Sequence, residues 1–274
     1  MTGAGECTQA RCDKFHPLGN IREPHGRPAD CGYLSVQCHE AACGGHAKMN
    51  ELQTTVRVWD LPTRAFHWLL ATSVLASISS AWIGGNAMVW HFRLGYVAFT
   101  LLAFRLVWGL IGGHWSRFAN FIYAPASIVR YLRGQSRADE HHEVGHNPLG
   151  AFSVFGVLAL LALQVGTGLF ADDEIATTGP LIKFVSGATS LAMTKWHKGY
   201  GQWLIIALIV LHVGAILYYL LGKRSNLVKP MLTGDKQLVA PAPHAVDNAR
   251  SRTLAAVLLA ACAALVGWVV NLGG

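Results

Sequence analysis

Five apolar segments, each close to the ~20 residues that a helix needs to cross a bilayer, dominate the chain. They lie at 66–84, 91–112, 147–171, 197–222 and 253–272. Such segments are expected to be helical because no water inside the bilayer can hydrogen-bond the backbone. Only 14 % of the 274 residues are charged, against about a quarter in soluble domains. The sequence therefore predicts an all-α membrane protein, a four-helix transmembrane bundle with a fifth, C-terminal transmembrane helix.

The basic residues indicate how the chain is oriented in the membrane. The formal charge of +7 does not indicate nucleic-acid binding, because these residues lie in loops between apolar segments. Cytoplasmic loops are enriched in Lys and Arg, and the basic loops alternate with the uncharged loop 85–90 and a mainly acidic loop after the third segment. The alternation predicts a multi-pass membrane protein with a cytoplasmic N-terminus and a C-terminus on the outer side.

Composition divides the chain into four regions. Residues 1–50 are polar and rich in glycine, and we expect a disordered N-terminal extension without an apolar signal segment, with Met49 as an alternative start. Residues 51–236 form the predicted four-helix domain. Residues 237–252 are interpreted as a linker, and residues 253–274 as the fifth transmembrane helix.

The N-terminal extension carries five of the six cysteines, Cys7, Cys12, Cys31, Cys38 and Cys43. Their spacing matches neither a CxxC pair nor the CxxCH of covalent haem attachment. A zinc or iron–sulfur site is one interpretation, and an unstructured segment in a reducing compartment is the other. Cys262, in the fifth segment, is expected to be an ordinary buried thiol.

Four histidines lie within the apolar segments, and ionisable groups inside a membrane usually have a function. His197 and His212 are 15 residues apart in one segment, which corresponds to about 22 Å along a helix and a difference in direction of about 60°. With the predicted orientation, His67 and His212 fall near the cytoplasmic face. His91 and His197 fall near the outer face.

Two imidazoles at each face suit a six-coordinate haem iron better than zinc, which prefers four protein ligands. The nearby glycines, Gly95, Gly199, Gly201 and Gly214, would leave room for a flat ring, although small residues also let helices approach. The alternative is four interfacial histidines that only hydrogen-bond to their neighbours.

Two arginines in the second segment are candidates for binding the cofactor. Arg105 is costly inside the membrane unless it has an anionic partner, and a haem propionate is one candidate; snorkelling to the interface is the alternative. Arg93, close to His91, could pair with a second propionate or reach the outer headgroups. His146, at the start of the third segment, is a candidate quinone contact or substitute ligand, whereas Asn147 and Pro148 read as a helix start.

Several motifs resemble the bacterial cytochrome b561 family, which groups with the b-type cytochrome subunits of nickel–iron hydrogenases. They are VWDLPTRAFHW at 58–68, GHNPLG at 145–150, QVGTGLF at 164–170, and His212 followed by Gly214, Ala215 and Tyr218. The resemblance spans roughly residues 57–236. It implies a four-helix core with two b haems, held by His67 with His212 and by His91 with His197. It also implies a place in the bacterial inner (plasma) membrane, with the C-terminus in the periplasm.

The function implied is electron transfer in the respiratory chain, between a quinone pool and a redox partner. That partner could be a hydrogenase, a c-type cytochrome or another protein, and the chain could act as a quinone-linked oxidoreductase or as one subunit of one. Membrane lipid surrounds the protein, and an oligomer is compatible with the sequence. The alternatives are a metal-ion transporter and a haem-free membrane anchor, in which the histidines would have structural roles.

Overall fold

The computed structural model describes residues 54–135, 144–174, 177–238 and 242–273. The expectations about the N-terminal extension, its cysteines and Met49 fall outside these residues. The helices and strands are β1 Thr54–Arg57, α1 Leu61–Ile83, α2 Met88–Ile111, α3 Pro125–Leu132, α4 Pro148–Gly168, α5 Gly187–Lys195, α6 Gln202–Leu221, α7 Val228–Thr233, β2 Asp235–Leu238 and α8 Ala249–Asn271. A π-helical turn, Trp196–Gly201, joins α5 to α6.

Five helical spans are long and apolar enough to cross a membrane. They are α1, α2 with the turn before it, α4, the continuous helix formed by α5, the π-turn and α6, and α8. The predicted all-α membrane fold is therefore confirmed.

The first span begins five residues earlier than predicted. Asp60 caps it, because its Oδ1 accepts a hydrogen bond from the Thr63 amide at 2.8 Å, and Pro62 occupies the first turn, where a missing N–H costs nothing. The length of an apolar segment does not indicate where a helix with polar residues in its first turns begins. The span ends at Gly84, whose φ of +69° favours glycine.

The fourth span is also longer than its apolar segment, running from Gly187 to Leu221. Its first turns, α5, are only weakly apolar, and Ser186 caps them by accepting a hydrogen bond from the Thr189 amide. His197 therefore lies well inside a continuous helix and not at its start. Asn147 caps α4 in the same way by accepting from the Gly150 amide at 2.7 Å, and Pro148 follows it as predicted.

A two-stranded ribbon defines one end of the bundle. β1 precedes the first span and β2 follows the fourth, and the strands pair antiparallel from Thr54 with Leu238 to Arg57 with Asp235. Four spans separate the two strands. An even number is required because both strands must lie at the same end of the bundle in order to pair. We call this end the ribbon face; the opposite end, with the turn Gly85–Ala87 and the segment 169–186, is the far face.

A small hydrophobic core underlies the ribbon. It contains Val56, Val58, Trp59, Trp115, Val144, Leu238 and Ala245. The Ala245 amide donates to the Arg57 carbonyl at 2.7 Å, and the Trp115 indole donates to the Pro243 carbonyl at 2.8 Å. The described part of the predicted linker, residues 242–248, thus packs against the ribbon face, because its backbone pairs with β1.

The fifth span, α8, packs along α2 and contacts α1. Its buried residues are Ala255, Cys262 and Val266, so the expectation of a buried Cys262 is confirmed. At the far face, Gly273 lies so close to the Pro180 carbonyl that no side chain would fit. The helix therefore runs from the ribbon face to the far face, and the chain leaves the bundle on the side opposite β1.

Asp247 ties α8 to the start of α1. Its side chain is 2 % exposed and binds Arg57 at 3.1 Å and Arg252 at 2.8 Å. The pKa of Asp247 is lowered mainly by the hydrogen bond from Arg252, and the Leu61 amide and Arg57 also contribute. Asp235 binds Arg57 as well, at 2.7 Å, but its side chain is 34 % exposed.

We expect Asp247→Asn to lower the free energy of unfolding by about 1–2 kcal/mol, because it removes a charged helix-cap acceptor and leaves two arginines without their buried partner. Asp235→Asn is the matched control and should cost less than about 1 kcal/mol, since its ion pair is partly solvated. Thermal unfolding of the detergent-solubilised chains measures both. Equal losses would contradict the anchoring role of Asp247.

Candidate cofactor site

Two imidazole rings meet near the ribbon face, one from α1 and one from α6. The ring centroids of His67 and His212 lie 6.3 Å apart, with an interplanar angle of 52°. The neighbouring Trp68 indole donates to the Met231 carbonyl, which holds this part of α1 next to α7. We call His67 and His212 the ribbon-side pair.

A second pair of rings meets towards the far face, between α2 and the π-turn. The centroids of His91 and His197 lie 5.8 Å apart, with an interplanar angle of 85°. We call these residues the far-side pair. The structure thus brings the four histidines together in the two pairs that the spacing predicts, and each pair joins different spans.

Main-chain carbonyls orient both rings of the far-side pair. His91 Nδ1 lies 2.9 Å from the Ser77 carbonyl and 3.0 Å from its Oγ, and His197 Nδ1 lies 2.9 Å from the Gln164 carbonyl. A carbonyl oxygen only accepts, so each Nδ1 carries the hydrogen. The Nε2 lone pair of each ring is therefore free to bind a metal.

The π-turn changes the direction in which His197 projects relative to His212. A π-bulge adds one residue to a helix and is frequent at functional sites. With the extra residue, about 14 regular steps separate His197 from His212, so the two rings differ in direction by about 40°. The Gln164 side-chain amide donates to the His197 carbonyl at 2.9 Å, which satisfies the backbone within the bulge. Gln164 thus holds His197 by both its side chain and its main chain.

A cavity of about 400 Å³, within the usual range of ligand pockets, lies beside the far-side pair. Its wall is largely apolar and includes both histidines, Gly95 and Gly168. Four residues beyond His91, Gly95 faces open space, as do Gly199 and Gly214. Gly201 differs, because a side chain there would collide with Gln164. The absence of a side chain at Gly201 therefore allows the π-turn to pack closely against α4.

The helices leave a gap at the same place. α2 packs closely against α1, α4 and α8, and α6 packs against α4. Among the described residues, α6 does not pack closely against α1 or α2. The imidazoles therefore face each other across an opening between two halves of the bundle.

Arg105 is buried at 3 % exposure and has protein partners. Its Nη1 donates to the Ser116 carbonyl at 3.0 Å, and its guanidinium lies over the Phe118 ring at 4.5 Å. Asp60 is the acidic group that attracts it, and the Ser116 hydroxyl donates to Asp60 at 2.7 Å. Arg105 is thus balanced by Asp60 without snorkelling; binding of a propionate stays a prediction.

Arg93 is exposed, and its guanidinium lies 5.1 Å from the centroid of the Trp90 ring. A cation stacked on a tryptophan is available to an anionic group, and both interpretations of Arg93, a propionate or the outer headgroups, stay predictions.

His146 lies at the ribbon face between two aromatic residues. Its ring centroid is 4.8 Å from that of Trp59 and 4.6 Å from that of Phe121. The residue is half-buried, and its Nδ1 is buried without a hydrogen-bond partner in the described residues. Burial, together with the nearby Arg105 charge, lowers the pKa of His146 to about 3. His146 is therefore neutral at physiological pH.

The matching family model covers residues 58–234 and is described as prokaryotic cytochrome b561. The chain belongs to this family. It is therefore a multi-pass membrane b-type cytochrome, an electron-transfer protein whose prosthetic group is haem b. This assignment favours electron transfer over the transporter and haem-free anchor alternatives.

Similar proteins carry the name "Probable Ni/Fe-hydrogenase B-type cytochrome subunit". The protein from Bradyrhizobium diazoefficiens is 23 % identical over 67 % of this chain and 86 % of its own length. That from Azotobacter chroococcum is 26 % identical over 66 % and 88 %, and that from Escherichia coli K12 is 24 % identical over 65 % and 88 %. No solved structure matches the chain.

The imidazole pairs of this cytochrome fit a haem iron. A metal about 2 Å from one nitrogen of each ring requires centroids about 6 Å apart, and the two measured separations are 6.3 Å and 5.8 Å. The free Nε2 atoms of the far-side pair and the adjoining cavity support the same conclusion.

The roles of Ser77 and Gln164 in positioning the far-side pair were not predicted from the sequence. Ser77 acts mainly through its main-chain carbonyl, which every residue has, so its residue type gives no indication. Gln164 is recognisable in the sequence only as the first residue of the QVGTGLF motif, and its partner, 33 residues away, depends on how α4 packs against the π-turn.

Gly168 tests how closely the far-side pair is fitted. A Cβ there would lie 2.8 Å from the His197 ring, so we expect Gly168→Ala to displace the ring and reduce haem bound per chain. Gly156→Ala, in the same helix, is the matched control because its Cβ would meet nothing within 4 Å. The pyridine-haemochrome absorbance per chain measures the effect. The same haem content in both variants would contradict a tight fit at His197.

His146 makes stability depend on pH. The unfolded chain protonates this ring near pH 6.5 and the folded chain only near pH 3, so acidification over this range favours the unfolded state. From pH 7 to pH 5 we expect the wild type to lose about 2 kcal/mol more than His146→Phe, which keeps an aromatic ring there. Unfolding in detergent at the two pH values measures this difference. An identical pH dependence would contradict the neutral state of His146.

Proposed function

We propose that this chain binds two b haems, one between His67 and His212 and one between His91 and His197. The observation that carries the proposal is the presence of two imidazole pairs, each from different spans and each with the separation that one metal requires. A bound haem supplies one-electron redox chemistry, and bis-histidine ligation suits electron transfer because it leaves no open coordination position.

The protein's contribution is to fix the ligands. The Ser77 and Gln164 carbonyls hold the far-side rings in one tautomer and one orientation. The wall of the adjoining cavity is largely apolar. A site whose ligands are already held in place changes little between two redox states, which favours fast electron transfer.

Charge distribution supports the predicted orientation, with the ribbon face in the cytoplasm. Basic residues at or near the ribbon face include Arg57, Arg64, Arg117, Arg130, Lys223, Arg224, Lys229, Lys236, Arg250 and Arg252, whereas the turn Gly85–Ala87 at the far face has no charge. By the positive-inside rule the N-terminal side of the first span is then cytoplasmic and α8 ends outside. Electrons cross the bilayer between the two pairs.

The partners we propose are a quinone and a hydrogenase. The hydrogenase is favoured by the names of the similar proteins, and a membrane quinone is the lipid-soluble electron carrier available to a cytochrome embedded in the bilayer. On this proposal the chain is the membrane subunit of a quinone-linked respiratory oxidoreductase. Arg93 would bind an anionic group of the cofactor at the far face, next to His91.

The test is the loss of haem from single-ligand variants. We expect His212→Ala to bind about half of the wild-type haem, since only the far-side site keeps both ligands, and His197→Ala to bind the other half. The measurement is the reduced-minus-oxidised spectrum of the purified chain, normalised to protein. The control is His114→Ala, a loop histidine near the ribbon face, which should keep the full haem content.

Two results would refute parts of the proposal. A colourless wild-type preparation, well expressed and folded, would remove haem binding altogether. Unchanged spectra in both His212→Ala and His197→Ala would show that the ligand pairs are wrong.

A further inference from the structure

The two imidazole pairs differ in the hydrogen bonds that the protein makes to their Nδ1 atoms. In the far-side pair, both Nδ1 atoms donate to main-chain carbonyls, those of Ser77 and Gln164. In the ribbon-side pair, the buried His67 Nδ1 has no hydrogen-bond partner among the described residues. His212 is exposed.

Such hydrogen bonds alter the electronic character of a metal ligand. An imidazole that donates its Nδ1–H to a strong acceptor is more basic at Nε2. A more basic ligand stabilises the oxidised, more positive iron and lowers its midpoint potential, because hydrogen bonding to the ligands is one of the means by which a protein sets that potential. The far-side pair has two such bonds.

Nearby charges do not reverse this difference. The far-side cavity is lined by one carboxylate, Asp173, and one ammonium group, Lys198, whose effects oppose each other. Towards the ribbon face, the buried Arg105 is offset by Asp60. Each pair also has one arginine close to it in the sequence, Arg93 two residues from His91 and Arg64 three residues from His67, so these charges act on both sites. The hydrogen bonds are therefore the main asymmetry between the two environments.

We infer that a haem held by His91 and His197 would have a lower midpoint potential than one held by His67 and His212, because main-chain carbonyls accept hydrogen bonds from both far-side rings. This inference rests on the proposed ligand pairs and adds the order of their potentials.

The experiment is a spectroscopic redox titration of the purified chain and of its two ligand variants. We expect two components in the wild type. His212→Ala should retain the component of lower potential, and His197→Ala the component of higher potential. The reverse assignment, or equal potentials in the two variants, would overturn the inference. Unchanged haem content in both variants would instead refute the ligand pairs.

A second variant tests the hydrogen bonds themselves. Ser77→Ala removes the hydroxyl that, with the Ser77 carbonyl, faces His91 Nδ1, so we expect the lower-potential component to shift upwards and the other to stay unchanged. Ser79→Ala is the matched control because its hydroxyl donates to the Leu75 carbonyl of the same helix and to no other described residue. No shift, or a downward shift, in Ser77→Ala would overturn the role given to these bonds.

Discussion

The fit between α4 and the π-turn is the interaction on which the far-side site depends. Gln164 donates its side-chain amide to the His197 carbonyl, and its own carbonyl accepts from the His197 ring. A bilayer tolerates irregular backbone only where another protein group hydrogen-bonds the freed N–H and C=O groups. Gln164 does this for the π-turn and also orients the His197 ring, so both features depend on the same residue. Gly168 and Gly201 supply the close approach that both hydrogen bonds need.

At the ribbon face, polar contacts hold the ends of several spans together. Lipid gives apolar helices little reason to associate, whereas buried polar groups at the interface specify which ends meet. Asp60 links α1 to Ser116 and Trp108, and Asp247 links α8 to α1 and β1. The fifth span lies outside the family match at residues 58–234, yet these contacts make it part of the same bundle.

The family, the fold and much of the site could be predicted from residues in the sequence. Long apolar segments give the spans, and intramembrane histidines at fixed depths give the pairs of rings. The starts of α1 and α5 were placed too late because Asp60 and Ser186 act through caps, which apolar length does not register. The short helices α3 and α7 and the β-ribbon were missed because each is stabilised by contacts with distant parts of the chain.

By itself, the sequence determined that the chain crosses a membrane, which spans it uses and which imidazoles lie at similar depths, since these follow from hydropathy and helical rise. Tertiary structure decided what those imidazoles face. The carbonyls that orient His91 and His197 belong to other helices, and Arg105 meets Asp60 across the bundle. Such main-chain and cross-helix contacts depend on helix rotation and packing, which residue types and spacing do not specify.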